Sequence, residues 1–138
     1  TTIDVPHATL TIPEGINPQG AIVGAYNDSS GHTHGFLSSG GRYTTLDLPG
    51  ATLTVAFGIN PRGEIVGWFS TGSSGQLPFH GFRLSSGSYT RIDAPGATST
   101  MAGGISPGGA IVVGTYTDSL GHSHGYRLVL RKVEHQSE

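Results

Sequence analysis

Cysteine is absent from the 138 residues, so neither disulfides nor thiolate metal sites can hold this chain together. Charge is scarce as well. Asp, Glu, Lys and Arg make up 12% of the chain, about half the usual globular share. The net charge of −2 gives no electrostatic reason to expect nucleic acid or an anionic membrane as a partner. No apolar run approaches the roughly 20 residues that a membrane-spanning helix needs. Helical periodicity is missing too, and up to Gly125 Gly or Pro interrupts every window of about ten residues. There is no phosphate loop or dinucleotide fingerprint. The chain opens on Thr1 with neither an initiator Met nor a signal sequence, so its location must be argued from elsewhere.

What the chain has is repetition. IDVPHAT, LDLPGAT and IDAPGAT start at Ile3, Leu46 and Ile92, and GINPQG, GINPRG and GISPGG follow them. Then come AIVGAY, EIVGWF and AIVVGTY, and each copy closes on His34-Gly35-Phe36, His80-Gly81-Phe82 or His124-Gly125-Tyr126. A period of 43 to 46 residues marks a propeller, solenoid or other array. The expectation is one all-β domain over residues 1–133 with repeats of about 1–42, 43–88 and 89–133, and a polar tail over 134–138.

Each repeat reads as about four short antiparallel strands. In the middle copy Leu53, Val55, Phe57 and Ile59 alternate with Thr52, Thr54, Ala56 and Gly58, giving a large-residue face and a small-residue face. Asn17-Pro18-Gln19-Gly20 and its counterparts at Asn60 and Ser106 fit type I turns. The third copy carries one extra residue, and Val112-Val113 predicts a β-bulge there. Leu128–Val133 runs on without a turn and reads as a closing strand.

This pattern resembles the HAF repeat, an extracellular bacterial family named for its His-Ala-Phe tripeptide, over Ile3 to about Leu128. The resemblance implies a propeller-like repeat of a secreted or cell-surface protein, and it carries over no catalytic residue. A closed propeller needs about four to eight four-stranded units. Three leave two open faces, so a homodimer of six blades is expected, with Leu128–Val133 and a short Thr1–Asp4 strand pairing across the subunit boundary. A three-fold monomer of β-trefoil or β-prism type is the rival.

Four residue sets are candidates. His34, His80 and His124 recur in register, and repetition favours a structural ring bonded to a carbonyl or to the repeated Asp. His32 with His34 and His122 with His124 form His-x-His pairs, and Asp28 and Asp118 could add an oxygen ligand for zinc or calcium. The bland alternative is a pair of exposed His residues in a polar loop. Asp4, Asp47 and Asp93 precede the Pro turn, where a carboxylate can cap free N–H groups. Trp68, Tyr26 and Tyr116 could be core or could stack on sugar rings, and Trp68, aligned with Ala25 and Thr115, reads as exposed. These readings support a multivalent, lectin-like binding module, with a metal-dependent hydrolase or a plain scaffold as the competing functions.

Overall fold

A computed structural model describes residues 1–130, and among them the chain is all-β. The first unit holds β1 (Leu10–Ile16), β2 (Ile22–Asn27), β3 (Thr33–Ser39) and β4 (Arg42–Leu46). The second holds β5 (Leu53–Ile59), β6 (Ile65–Ser70), β7 (His80–Ser85) and β8 (Ser88–Ile92). The third holds β9 (Ser99–Ile105), β10 (Ile111–Thr117) and β11 (Ser123–Val129). A single 3-10 turn at Ser73–Gly75 is the one helical element described. Strand β4, which opens the second sequence repeat, completes the sheet of the first.

Within each unit consecutive strands pair antiparallel. The first two units are joined by one parallel bridge, Thr33 with Leu53. The corresponding contact at the next junction is the Thr100 amide on the Phe79 carbonyl at 2.9 Å. The sheets do not close into a barrel, so the barrel of a β-trefoil is not what the described residues form. The closing strand expected over Leu128–Val133 ends at Val129, and positions 131–138, with the expected tail, lie outside the described residues.

The packing lies between units. Val23, Leu46 and Leu48 of the first unit meet Ala56, Ile65, Phe69 and Phe82 of the second. Val66 and Ile92 of the second meet Ala102 and Val112 of the third. Neighbouring residues on a strand point to opposite faces, so Ile65 serves the first junction while Val66 serves the second. In the third unit Val112 packs in the second junction, as Ile65 does in the first.

The two faces of the first strand differ in burial. Thr54 and Ala56, from the small-residue face, are buried at 1% and 0% exposure, while Leu53, Val55 and Phe57 are only half-buried. Small residues are needed because the neighbouring sheet comes close. A Cβ on Gly35 would lie 3.2 Å from the Thr54 methyl, and one on Gly15 would lie 2.6 Å from the Phe57 carbonyl oxygen.

The expected bulge at Val112-Val113 is corrected. Ile111 takes the place of Ala21 and Glu64, its amide bonded to the Ser106 hydroxyl at 3.0 Å, so the extra residue is Ala110 in the turn. A turn absorbs an insertion without changing which way later side chains point. The register shifts lie instead on the first strand of every unit, at Glu14, Phe57 and Gly103. Beside each stands a glycine, Gly24, Gly67 or Gly114, whose missing Cβ admits the carbonyl of Ile12, Val55 or Met101 and the ring of Phe36, Phe82 or Tyr126.

Candidate functional site

The recurring histidines and aspartates meet across the third and fourth strands. His34 Nδ1 lies 2.7 Å from Asp47 Oδ2, and His80 Nδ1 lies 2.7 Å from Asp93 Oδ1. These carboxylates bond the ring and leave the Pro-turn amides to other groups, which corrects the capping expectation for Asp47 and Asp93. The turn amides of Val5, Leu48 and Ala94 are satisfied instead by the hydroxyls of Thr11, Thr54 and Thr100. The bulky ring needs an acceptor across the strand, and the buried Thr already sits under the turn. Asp4 makes no such side-chain bond among the described residues, since no His precedes it in the chain.

A second carboxylate reaches the ring in units one and three. Asp28 Oδ2 lies 2.8 Å from His34 Nε2, and Asp118 Oδ2 lies 2.8 Å from His124 Nε2. The other oxygen of each Asp accepts the loop amides of Ser30 and His32, or of Leu120 and His122. His34 is thus clamped between two carboxylates and donates from both nitrogens as the cation. Partial burial lowers its pKa, but the bonds to Asp28 and Asp47 outweigh that and raise it above the ordinary value. The bond from His34 lowers Asp28 to about 2.

These geometries weigh on the metal expectation. A divalent ion sits about 2 Å from each ligand atom, whereas His34 Nε2 and Asp28 Oδ2 are already in direct hydrogen-bond contact. His32 Nδ1 and His122 Nδ1 stand 3.8 Å from the same carboxylate oxygens, with mostly exposed side chains. Among the described residues no three His, Asp or Glu side chains are arranged to hold zinc or calcium.

The aromatic candidates separate into two kinds. Tyr26 stacks on His34 at 5.0 Å and 30°, and Tyr116 stacks on His124 at 4.9 Å and 30°, so units one and three present the same surface. Trp68 is half-buried against Phe57, 5.1 Å between ring centroids, and not freely exposed as its alignment suggested. The Phe57 bulge swings that ring over the indole.

One cluster went unread in the sequence. Glu64 is 5% exposed and its carboxylate accepts from Asn60 Nδ2, Arg83 Nη2 and Ser85 Oγ, each at 2.8 Å. Burial alone would raise its pKa; the Asn60 and Ser85 bonds and the Arg83 charge hold it below the usual glutamate value. Gly109 leaves room for it, since a Cβ there would collide with Oε1. Arg62 reaches across to the Gly108 carbonyl at 3.0 Å. Together Arg62, Glu64, Arg83, Ser85, Gly109 and Leu130 wall a cleft of about 340 Å³ between the second and third units. The Arg83 Nε is enclosed there without a hydrogen-bond partner among the described residues. The available signal was a departure from the repeat, because the first unit has Gln19, Ala21 and Leu37 at the places of Arg62, Glu64 and Arg83.

No protein-family model matches the chain, and no curated protein matches it.

Proposed function

We propose that the chain is an extracellular repeat-type binding module of the HAF kind, with propeller-like blades completed by a second copy and a carboxylate-bearing saccharide as its ligand. The charged cleft carries this reading. The first unit builds the same turn and strands with uncharged residues at the three positions, so the architecture does not need Arg62, Glu64 and Arg83. A buried ion pair is rarely a net gain in stability over apolar packing. Two guanidiniums against one carboxylate leave the cleft one positive charge in excess, and guanidinium is suited to paired hydrogen bonding with a carboxylate. Glu64 disfavours a doubly charged anion. The stacked Tyr26–His34 and Tyr116–His124 surfaces offer equivalent shallow contacts to a longer glycan.

Calorimetric titration with galacturonate, galactose and inorganic phosphate tests the reading. Binding of galacturonate alone is expected. Arg62→Gln should weaken it about tenfold, the loss of one charge-assisted contact. The paired change Glu64→Ala and Arg83→Leu, which installs the first unit's residues, should abolish it. Equal binding of galactose, tighter binding of phosphate, or no binding at all would reject the cleft as a carboxylate site.

A further inference from the structure

One ring position is treated in two ways along the chain. His34 and His124 each carry a carboxylate on Nε2 at 2.8 Å, supplied by Asp28 and Asp118, the first residues after β2 and β10. His80 keeps only the other half of the arrangement. Its Nδ1 is held by Asp93 Oδ1 at 2.7 Å, and its Nε2 meets no partner among the described residues.

The difference is written in the loop before β7. Asn27, Ser70 and Thr117 pair with the first residues of β1, β5 and β9, so the exposed Thr71 stands where the other units have Asp28 and Asp118. From Ser70 to His80 is ten residues, against seven from Asn27 to His34. The longer loop bonds within itself and to Thr52, the Gln76 carbonyl accepting from the Ser70 hydroxyl and the Gly72 carbonyl from the Thr52 hydroxyl. No described side chain of it bonds the ring.

The charge around the ring is reversed as well. Beside His34 stand two carboxylates, Asp28 and Asp47, and Thr45 bonds the Tyr26 hydroxyl at 2.7 Å. Beside His80 stands one carboxylate, Asp93. Arg91 takes the place of Thr45 and donates from Nε to Asp93 Oδ2, while Phe69 takes the place of Tyr26. With the ring protonated, the first site is negative and the second is positive.

We infer that His80 is a binding site for the carboxylate of a small organic acid, which takes the place on Nε2 that Asp28 and Asp118 fill in the other units. The bond to Asp93 fixes the ring before the ligand arrives and makes Nε2 the nitrogen left to bind it. A carboxylate there accepts a charge-assisted hydrogen bond from the protonated ring, with Arg91 adding a second positive charge nearby. The His80 side chain is 17% exposed, which leaves it reachable from solvent. The site is independent of the charged cleft, because His80 and Arg83 point to opposite faces of β7.

Acetate is the Asp28 side chain without its backbone, and it serves as the probe. The imidazole signals of the full chain are followed by NMR at about pH 6, where imidazole is readily protonated, with chloride at matched ionic strength as the control. Acetate should shift the His80 ring saturably and leave the His34 and His124 rings in place, because their Nε2 atoms are filled. Arg91→Thr, which installs the first unit's residue, should weaken acetate about two- to fivefold, as expected for a partly exposed charge. Thr71→Asp should supply the carboxylate from the chain and abolish the response. Asp28→Ala opens His34 Nε2, and acetate should then move that ring too. A silent His80 in the parent chain overturns the site, whatever His34 does. A shift that chloride reproduces, three rings that move alike, or an acetate response that survives Thr71→Asp overturns it as well, and marks an adventitious ion only.

Discussion

The Asn17 side chain donates from Nδ2 to the Asn60 carbonyl oxygen at 3.1 Å, across a sequence distance of one repeat. Asn60 repeats the bond to the Ser106 carbonyl at 2.9 Å. Turn is thereby tied to turn from the first unit to the third, at the end of the units opposite the Asp28 and Asp118 loops. The Oδ1 of each Asn meanwhile closes its own turn, on the amide of Ala21 or Glu64 at 2.9 Å. One side chain does two jobs, local and between units, which is why a serine in the third unit can do only the first.

Asn60→Ala should therefore be costly. Asn60 is 2% exposed, and its loss leaves the Glu64 amide unpaired and takes one donor each from the Glu64 carboxylate and the Ser106 carbonyl. A destabilisation of about 3 kcal/mol is expected from the buried groups left unpaired. Arg62→Ala should cost under about 0.5 kcal/mol, as surface changes usually do. Urea midpoints check the order, and equal values would remove the tie between units from the account.

Gly67→Ala is the sharpest test of the bulge. A Cβ there would strike the Val55 carbonyl and lie 2.9 Å from the Phe82 ring, which is in the core between units. A loss of about 3 kcal/mol or more is expected, since neither backbone nor a buried ring can give way cheaply. Gly20→Ala is the contrast. Its Cβ would meet nothing within 4 Å, and only its φ of +85° opposes the change. That costs about 1 kcal/mol. Chemical denaturation of both variants separates crowding from backbone strain.

How much of this was legible follows the same division. The turns could be read because Asn, Pro and Gly act through their own backbone, and the amides of Gly20 and Gly63 do bond Asn17 and Asn60 at 3.0 Å. Strand number was legible from the alternation. Which face of β5 is buried was not, because Thr54 and Ala56 are chosen by the closeness of the next sheet, and periodicity carries no record of that distance. The Glu64–Arg83 pair was hidden for a related reason. Each residue alone reads as a solvated charge, and only the third unit's Gly109 against Glu64 reveals the burial.

The His34 clamp gives a pH signature. Its pKa is raised in the fold, so its contribution is complete below about pH 6.5, the unfolded value, and fades as pH rises through the raised folded value. Asp28 is lowered to about 2, so its contribution is complete above its unfolded value near 3.8 and fades as pH falls toward 2. The clamp is fullest between those limits. The melting temperature of the parent minus that of His34→Gln should be greatest near pH 5, in the middle of that window, and should shrink in both directions. A difference that is flat with pH would mean that folding leaves the titration of His34 and Asp28 unchanged, and the clamp would lose its charge.

Ile16, Ile59 and Ile105 occupy one position in three units and have three surroundings. Ile59 packs against the first core between units and Ile105 against the second, while Ile16 is 66% exposed among the described residues. Ile59→Ser should cost about 2 to 3 kcal/mol at any protein concentration, the transfer term plus the cavity it leaves. Ile16→Ser should cost almost nothing in dilute solution. If a second copy completes the ring, the open first unit meets the partner's third unit there, and Ile16 becomes the third member of the buried set. Its substitution should then lower the melting temperature only at concentrations where the dimer forms. Melting curves of both variants across a hundredfold dilution, about what a dimer-to-monomer shift requires, decide the matter. A cost at Ile16 that ignores dilution would mean that the residue is covered within its own chain, and the ring would lose this contact.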